Sequence, residues 1–420
     1  MTPKDASGPW RWSPWRVVVS FGFLSLFVDV VSDGGQSVAG PLLGQLGASA
    51  LMIGIITGTG EAIAQGFRLV TGPWSDRSRR YWDFTLVGYI LTVVCVPLMA
   101  VSPFIGAAGL LVATVLIFGD RFGKAVRSPA KTVLLADAAG AVGRGRGFAV
   151  HKSLDMSGSL LGPLLVAGVI ALTGVLWPAY AVLAIPGTVA ILLLLLIRRR
   201  VPNLRIYSHT SRAKKTDSMQ ADAAETDGTR ARLPRTFYPF AITAFTTNVG
   251  LVTFGLISFH LTDTGLLSLP SVPLLYAGAM AVAAGAALAS GYLFDRLGSN
   301  VLLPVPVLVA FIPGLTLSNR LAAVVVGTLI WGAVTGVQES TVKALVADLV
   351  PYARRGTAYG IFAAFEGAGA LVGGILAGAL YGQVPILIGV VAALQVLGLA
   401  LLIITVRAQR RLDGRRVDAR

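Results

Sequence analysis

The chain has 420 residues, of which 55% are hydrophobic and only 13% are charged, and its formal net charge is +15. Soluble domains usually carry about a quarter charged residues, so this composition excludes a soluble globular protein and indicates a membrane protein with many spans. A net positive charge can indicate nucleic-acid binding. Here, however, the basic residues collect in alternate loops, which is an orientation signal, and we expect no nucleic-acid partner.

Twelve apolar runs are long enough to cross a bilayer, for which a helix needs about 20 residues. They cover roughly residues 16–45, 50–71, 84–102, 106–128, 147–172, 175–197, 237–262, 271–294, 300–318, 321–345, 357–381 and 384–406. The predicted fold class is an all-α polytopic membrane protein, with twelve transmembrane helices in two pseudo-symmetric six-helix bundles.

The loops predict the orientation of these helices. Arginines concentrate in the loops near residues 77–80, 144–146, 198–200 and 354–355 and in the tail, whereas the opposite loops hold the single basic residue Arg320. Because positively charged loops stay in the cytoplasm, we expect both termini to be cytoplasmic and the protein to lie in the inner (cytoplasmic) membrane.

A long hydrophilic segment divides the chain. We predict an N-terminal bundle at 1–197, a flexible cytoplasmic linker at 198–236, a C-terminal bundle at 237–406 and a basic tail at 407–420. The two halves also resemble each other. Residues 131–162 match residues 342–373 at a constant offset of 211 positions, which pairs Asp155 with Glu366 and Gly162 with Gly373. Shared polar positions in register indicate two homologous bundles.

The loop after the second run carries the sequence GPWSDRSRR, with Gly72, Asp76 and Arg77 at its key positions. Together with the six-plus-six organisation, this segment resembles the signature of the major facilitator superfamily, although a serine replaces one of its glycines. The resemblance implies that the aspartate caps a neighbouring helix across the seam between the halves and closes the cytoplasmic side. It extends more weakly to Asp295 and Arg296 in the related segment SGYLFDR.

Two further features resemble the drug/proton antiporter branch of that superfamily. The fifth run contains Gly158, Gly162 and Pro163 in the order Gly-x-x-x-Gly-Pro, and the fourth contains Arg121 where those antiporters carry a buried arginine. The glycine pair and the glutamine that usually follow are absent here. The alternative interpretation of these residues is a helix-packing seam of small side chains, which is common in membrane bundles.

Three carboxylates lie near mid-depth in the predicted helices. At 1.5 Å per residue, Asp29 lies roughly 20 Å from the cytoplasmic start of its helix, Asp33 is one turn further, and Glu61 lies about 16 Å from the outside. Removal from water favours the neutral form of a carboxylate. With Arg121, these residues form our predicted proton-coupling site and substrate cavity. The alternatives are a water-exposed outer mouth for Asp33 and a structural hydrogen bond for Glu61.

Other charges lie nearer the cytoplasmic face and predict a gate of ion pairs that break and reform as the halves move. The predicted gate residues are Arg68, Gly72, Asp76, Arg77, Lys124, Arg127, His151, Asp155, Asp295, Arg296, Glu339, Lys343 and Glu366.

These features predict a secondary transporter that works by alternating access, most simply a proton-coupled exporter of a small amphiphilic molecule. The charged wall of the first half faces an apolar wall such as 279–291 in the second. A proton-coupled uptake symporter, or a metal or metalloid exporter using Asp29, Asp33 and His151, remains an alternative. We find no nucleophile–base pair that would indicate an enzyme. The expected partners are the substrate, protons and the lipid bilayer, with no cofactor, no resident metal and a monomeric chain.

Overall fold

The computed structural model describes residues 12–202, 204, 233–234, 236–342, 345–346, 349–350 and 354–418. Within these ranges all regular structure is helical. Eleven helices are long and apolar enough to cross a membrane, and the shorter apolar helix Pro304–Thr316 makes a twelfth segment. The predicted all-α fold with twelve membrane helices is confirmed.

We label these helices in chain order, including the short 3-10 and π turns that continue some of them. They are α1 (Pro14–Ser37), α2 (Ala50–Ser78), α3 (Tyr81–Phe104), α4 (Gly106–Ala139), α5 (Arg144–Thr173), α6 (Trp177–Arg200), α7 (Phe237–Asp263), α8 (Ser271–Leu302), α9 (Pro304–Thr316), α10 (Leu321–Val342), α11 (Arg355–Ala379) and α12 (Val384–Asp418).

Several helices extend well beyond the apolar runs that predicted them; α12, for example, continues to Asp418, past the run that ends near residue 406. The second run ends near residue 71 and the fourth near residue 128, yet α2 continues to Ser78 and α4 to Ala139. The added turns are polar and include Asp76 and Lys131, so hydropathy alone does not detect them. Because these turns remain helical, their charges keep the 3.6-residue spacing that places them on common faces.

Several helices are interrupted. Helix α2 consists of Ala50–Gly66 and Arg68–Ser78, and α7 consists of Phe237–Gly250 and Phe254–Asp263, separated by three non-helical residues. Helix α10 ends in a π-helical turn, Gln338–Val342. Non-helical backbone at membrane depth is tolerated where it is buried in protein or lines a cavity, and the break in α7 is of this kind, since Leu251 and Val252 are buried.

Because the number of crossings is even, α1 begins and α12 ends on the same side of the membrane, which we call the terminal side; the other is the opposite side. The predicted linker lies almost entirely outside the described residues, as does Lys343.

Glycines set the closest helix contacts within each half. A Cβ at Gly158 or Gly162 of α5 would overlap the carbonyl oxygen of Leu26 or Val30 of α1. The same arrangement recurs between α11 and α7, where Gly369 and Gly373 lie against backbone carbonyls of α7. These glycines stand 211 positions apart in sequence, so the internal repeat predicted from the sequence is also a repeat of packing.

On the opposite side the two halves touch backbone to backbone. There is no room for a Cβ at Gly40 beside the Gly255 carbonyl, or at Gly54 beside the Gly374 carbonyl. The Thr57 hydroxyl lies 2.7 Å from that of Thr253 across the same seam. These contacts seal the opposite side, and the space between the halves therefore opens toward the terminal side.

Candidate functional site

A central cavity of about 370 Å³ lies between the halves, within the range of small-molecule sites. Its two walls differ in chemistry. The charged residues contributed by α1, α2, α4 and α5 are Asp29, Asp33, Glu61, Arg68, Lys124, Arg127, Lys131, Lys152 and Asp155. Those contributed by α7, α8, α10 and α11 are Glu339 and Glu366, and the rest of that wall is mainly apolar, aromatic or amide.

Asp29 of α1 and Asp155 of α5 form a carboxyl pair on the first wall. Their side chains lie next to each other, close enough to share a hydrogen bond. Two carboxyl groups can share a hydrogen bond only when one of them carries a proton. The contact follows from the close approach of the two helices, because Gly158 and Gly162 come one and two turns after Asp155.

Two lysines flank this carboxyl pair. The Lys131 ammonium lies 3.8 Å from Asp155 Oδ1 and donates a 2.9 Å hydrogen bond to Ser25 Oγ. Lys152 Nζ lies 2.9 Å from Asp155 Oδ2 and 3.1 Å from Glu339 Oε2 of α10. Lys152 thus joins the halves. It and Glu339 each have 48% exposed side chains, which places them at the mouth of the cavity on the terminal side.

Arg127 of α4 holds the other member of the pair. Its guanidinium lies 4.0 Å from Asp29 Oδ1 and donates a hydrogen bond to the Thr92 hydroxyl of α3. It also lies 5.2 Å from the centroid of the Tyr89 ring. An arginine fixed by three partners is a preorganised counter-charge for Asp29.

Glu61 and Arg121 form a separate ion pair beside a small pocket of about 40 Å³. Arg121 Nη1 lies 3.4 Å from Glu61 Oε1, and Arg121 Nε lies 3.8 Å from Asp120 Oδ2. Arg121 lines this pocket rather than the central cavity. Asp120 is 3% exposed and its Oδ1 has no hydrogen-bond partner. It belongs to this group although the sequence analysis did not include it among the candidate site residues.

Asp33 lies at the inner end of the cavity. It accepts a 3.5 Å hydrogen bond from Tyr276 of α8, and Ser159 of α5 lies close to it. Its 9% exposure does not fit the alternative of a water-exposed outer mouth.

Three aromatic residues, which we call the aromatic triad, face this end of the cavity from the second half. Phe254, Tyr276 and Trp331 come from α7, α8 and α10. The ring centroid of Phe254 lies 4.6 Å from that of Tyr276 and 5.8 Å from that of Trp331. Phe254 begins the second piece of α7, directly after the break. The sequence does not predict the triad, because its members are scattered among apolar residues of three helices.

Among the predicted gate residues, Arg68, Lys124, Arg127, Asp155, Glu339 and Glu366 line the central cavity. His151 does not. It is 6% exposed, and its Nε2 lies 3.4 Å from Ser25 of α1, which places it inside the first half. Lys152 and Lys131 were not among the predicted site residues, although Lys152 stands three positions before Asp155, a spacing at which helical charges meet.

The signature residues lie at the terminal-side ends of α2 and α8. Asp76 is exposed and accepts a 3.2 Å hydrogen bond from Tyr81 Oη, within its own half. Arg77, Asp295 and Arg296 are exposed, and Gly72 has open space around its Cα. Among the described residues, none of these is hydrogen-bonded or ion-paired to the other half. The predicted helix cap is therefore not seen among the residues that the structure describes.

No group of three or more His, Cys, Asp or Glu residues that could hold a metal ion occurs in the part of the chain that the structure describes. The geometry therefore adds nothing to the metal-exporter alternative.

Comparisons with known proteins agree with this architecture. Residues 22–318 match the family described as Major Facilitator Superfamily. An uncharacterized protein of Mycobacterium tuberculosis (strain ATCC 25618 / H37Rv) is 45% identical over 392 residues, which cover 93% of each chain.

Two solved structures share the fold at low sequence identity. A POT family transporter in complex with 5-aminolevulinic acid superposes with a TM-score of 0.69 at 13% identity, covering 94% of this chain and 96% of that one. A bacterial homolog of the human lysosomal transporter Spinster, in an inward-facing conformation, gives a TM-score of 0.64 at 14% identity and covers 96% of both chains. The family match over most of the chain identifies this protein as a multi-pass membrane transporter, not an enzyme, and it belongs to the major facilitator superfamily.

Proposed function

We propose that the chain is a proton-coupled exporter that exchanges protons for a small amphiphilic molecule by alternating access. The observation that carries this proposal is the contact between the Asp29 and Asp155 carboxyl groups, which lies next to the ion pair that Lys152 and Glu339 form between the two halves. Lys152 takes part in both features. It pairs with Asp155 of the proposed proton site and with Glu339 of the other half at the mouth of the cavity.

The coupling between proton binding and movement of the halves follows from the two ion pairs that Lys152 forms. When Asp155 is ionised, Lys152 is held between Asp155 of the first half and Glu339 of the second. When a proton neutralises Asp155, Lys152 keeps only Glu339 as a full counter-charge. Proton binding therefore changes the strength of a contact between the halves, which is how a ligand shifts a two-state equilibrium. The other charged or titratable groups that face the carboxyl pair are Lys131, Arg127, Asp33 and His151.

The glycines of α5 support the antiporter-like assignment in a physical way. By allowing α5 to approach α1, Gly158 and Gly162 bring Asp155 to Asp29. Pro163 lies buried in the same helix, one residue after Gly162. The motif therefore serves packing and, through packing, the proposed proton site, so the two interpretations of it are compatible.

For the remaining organisation we keep the sequence-based assignments as proposals. We infer a monomer in the cytoplasmic membrane, with bundles at 1–197 and 237–406 joined by a cytoplasmic linker and followed by a basic tail. The terminal side is then cytoplasmic, because it carries the arginine-rich ends of the helices. The conformation described above is correspondingly inward-facing, with its cavity open to the cytoplasm.

The proposal can be tested in everted membrane vesicles whose interior has been acidified. A growth screen of an expressing strain first identifies a compound to which the chain confers resistance. Adding that compound should let protons leave the vesicles, reported by recovery of a quenched acridine dye. Asp29→Asn and Asp155→Asn should abolish the recovery, whereas Asp83→Asn, a matched change at a surface ion pair with Arg80, should not. A symporter would instead deepen the quenching, and unchanged recovery in both carboxyl variants would rule out the proposed proton site.

A further inference from the structure

The charges of the central cavity fall into those that already have a counter-charge and those that do not. Arg127 pairs with Asp29, Lys131 and Lys152 pair with Asp155, and Lys152 also pairs with Glu339. Groups that are paired in this way have little need of a substrate charge. The groups left over define what the cavity can bind.

Lys124 and Asp33 are the principal groups left over. Both line the central cavity, on α4 and α1 respectively. Within the described residues neither takes part in an ion pair within 4.0 Å, although each lies in the electrostatic field of the other. Arg121 also lies near Asp33, but two carboxylates, Glu61 and Asp120, already balance its charge.

Arg68 is a weaker candidate than Lys124 for binding a substrate charge. Its Nε has no hydrogen-bond partner among the described residues, but its electrostatic neighbours include three carboxylates, Glu339, Glu366 and Glu61, beside one cation, Arg127. A cation surrounded by carboxylates gains less from an added anion than one that faces a single carboxylate.

The surroundings of Asp33 add an aromatic surface. Tyr276 donates its hydroxyl to Asp33, and its ring packs against Phe254 and Trp331 in the aromatic triad, all of which line the same cavity. A carboxylate beside aromatic faces suits an ammonium group through ionic and cation–π attraction. The same rings suit a substrate ring through edge-to-face packing.

We propose that this cavity binds a zwitterion of amino-acid type that carries an aromatic ring, with its ammonium at Asp33, its carboxylate at Lys124 and its ring against the aromatic triad. Such a molecule supplies one counter-charge to each unpaired group and leaves the net charge of the cavity unchanged. It also contacts both halves, since Asp33 and Lys124 belong to the first and the triad to the second. A ligand with this reach can couple binding to the movement of the halves.

This inference rests on the proposed transport function but names only its substrate class. Isothermal titration calorimetry on the purified full-length protein tests it with two matched probe series. Phenylalanine is compared with phenethylamine, which lacks the carboxylate, and with 3-phenylpropionate, which lacks the amine. Tryptophan, tryptamine and indole-3-propionate repeat the comparison with a larger ring. We expect at least one zwitterion to bind roughly tenfold more tightly than either singly charged analogue.

Variants then assign each charge. Asp33→Asn should weaken binding of the zwitterion roughly tenfold and leave the acid analogue unaffected, and Lys124→Gln should weaken the zwitterion equally and leave the amine unaffected. Trp331→Leu should weaken all three members of a series. Arg320→Gln, a change at an exposed residue on the opposite side, should alter none of them.

Three results would overturn the inference: tighter or equal binding of the amines, tighter or equal binding of the acids, or no binding of any probe. The first would indicate an organic cation and the second an organic anion. None of these results bears on the carboxyl pair, whose proton coupling is measured without these probes, so failure of the substrate class is distinguishable from failure of the proposed function.

Discussion

The seam between α1 and α5 and the seam between α7 and α11 are built alike but carry different chemistry. Both rely on two glycines one turn apart, Gly158 and Gly162 in the first and Gly369 and Gly373 in the second. One turn before these glycines stand Asp155 and, 211 positions later, Glu366. In the first seam α1 presents Asp29 to Asp155, whereas the stretch of α7 at 237–250 contains no charged residue.

The difference shows that packing and titratable chemistry are separable in this molecule. The glycine contacts occur in both halves and hold each bundle together. The carboxyl pair occurs in one half only and needs a second acid on the facing helix. We therefore expect changes at the glycines to affect folding in either half, and changes at the acids to affect proton coupling through the first half alone.

The largest expected effect comes from filling the glycine contacts. Gly162→Val and Gly373→Val should each prevent the protein from folding into a monodisperse species. The added side chain would overlap backbone atoms of the neighbouring helix, which cannot move away without breaking that helix. Even overpacking that the structure can relieve costs about 1–3 kcal/mol of stability. Gly168→Val, also on helix α5, is the matched control. A Cβ at Gly168 would have no atom of another described element within 4 Å. Size-exclusion profiles and thermal melting measure the outcome, and wild-type melting of Gly162→Val would contradict the packing account.

A second prediction concerns the energetic coupling of the two acids. The losses of unfolding free energy caused by Asp29→Asn and Asp155→Asn should not add up in the double variant, and should differ from the sum by about 1 kcal/mol. Each single variant already removes the contact between the two residues, so the double variant cannot lose it again. The corresponding pair in the second seam, Asn248→Ala and Glu366→Gln, should be additive within about 0.5 kcal/mol. Denaturation midpoints of the four single and two double variants decide this, and equal coupling in both seams would remove the distinction.

The sequence predicted the twelve helices and the internal repeat, because apolar length and register are local properties. It did not predict that Asp29 meets Asp155, because that contact depends on which helices pack together. The break in α7 was also missed, since no proline marks residues 251–253. The aromatic triad converges from α7, α8 and α10, and no spacing along the chain reveals such a group.

A third, smaller effect concerns the ion pair between the halves. Lys152 and Glu339 are half-exposed, and ion pairs of this kind contribute about 0–1 kcal/mol. Because the pair is present in the conformation that is open to the terminal side, Lys152→Gln or Glu339→Gln should lower labelling of Ala370→Cys from that side by up to roughly fivefold, the factor that 1 kcal/mol supplies. The double variant should match the more affected single variant. The experiment requires Cys95→Ala, because Cys95 is the one native cysteine.

The smallest expected effect is at the signature aspartate. Among the described residues, Asp76 accepts a hydrogen bond from Tyr81 of its own half and is bonded to no residue of the second half, so Asp76→Asn should leave the stability of this conformation unchanged. If Asp76 caps a helix of the second half when the terminal side closes, the variant should raise terminal-side labelling, by a smaller factor than the change that Lys152→Gln produces. Asp295→Asn, its counterpart on α8, is the comparison and should raise labelling least. A rise in labelling from the opposite side would contradict this role.

The central claim is that protons act on the transport cycle through Asp29 and Asp155 of the first half. The most direct measurement is the rate at which Ala370→Cys, in the Cys95→Ala background, is labelled from the terminal side across a range of pH, because it needs no substrate. Ser159→Cys, at the equivalent position of α5, provides a second reporter. We predict that labelling depends on pH in the parent protein and in Glu366→Gln, and that this dependence is lost in Asp29→Asn and in Asp155→Asn. The same pH dependence in all four proteins would contradict the account.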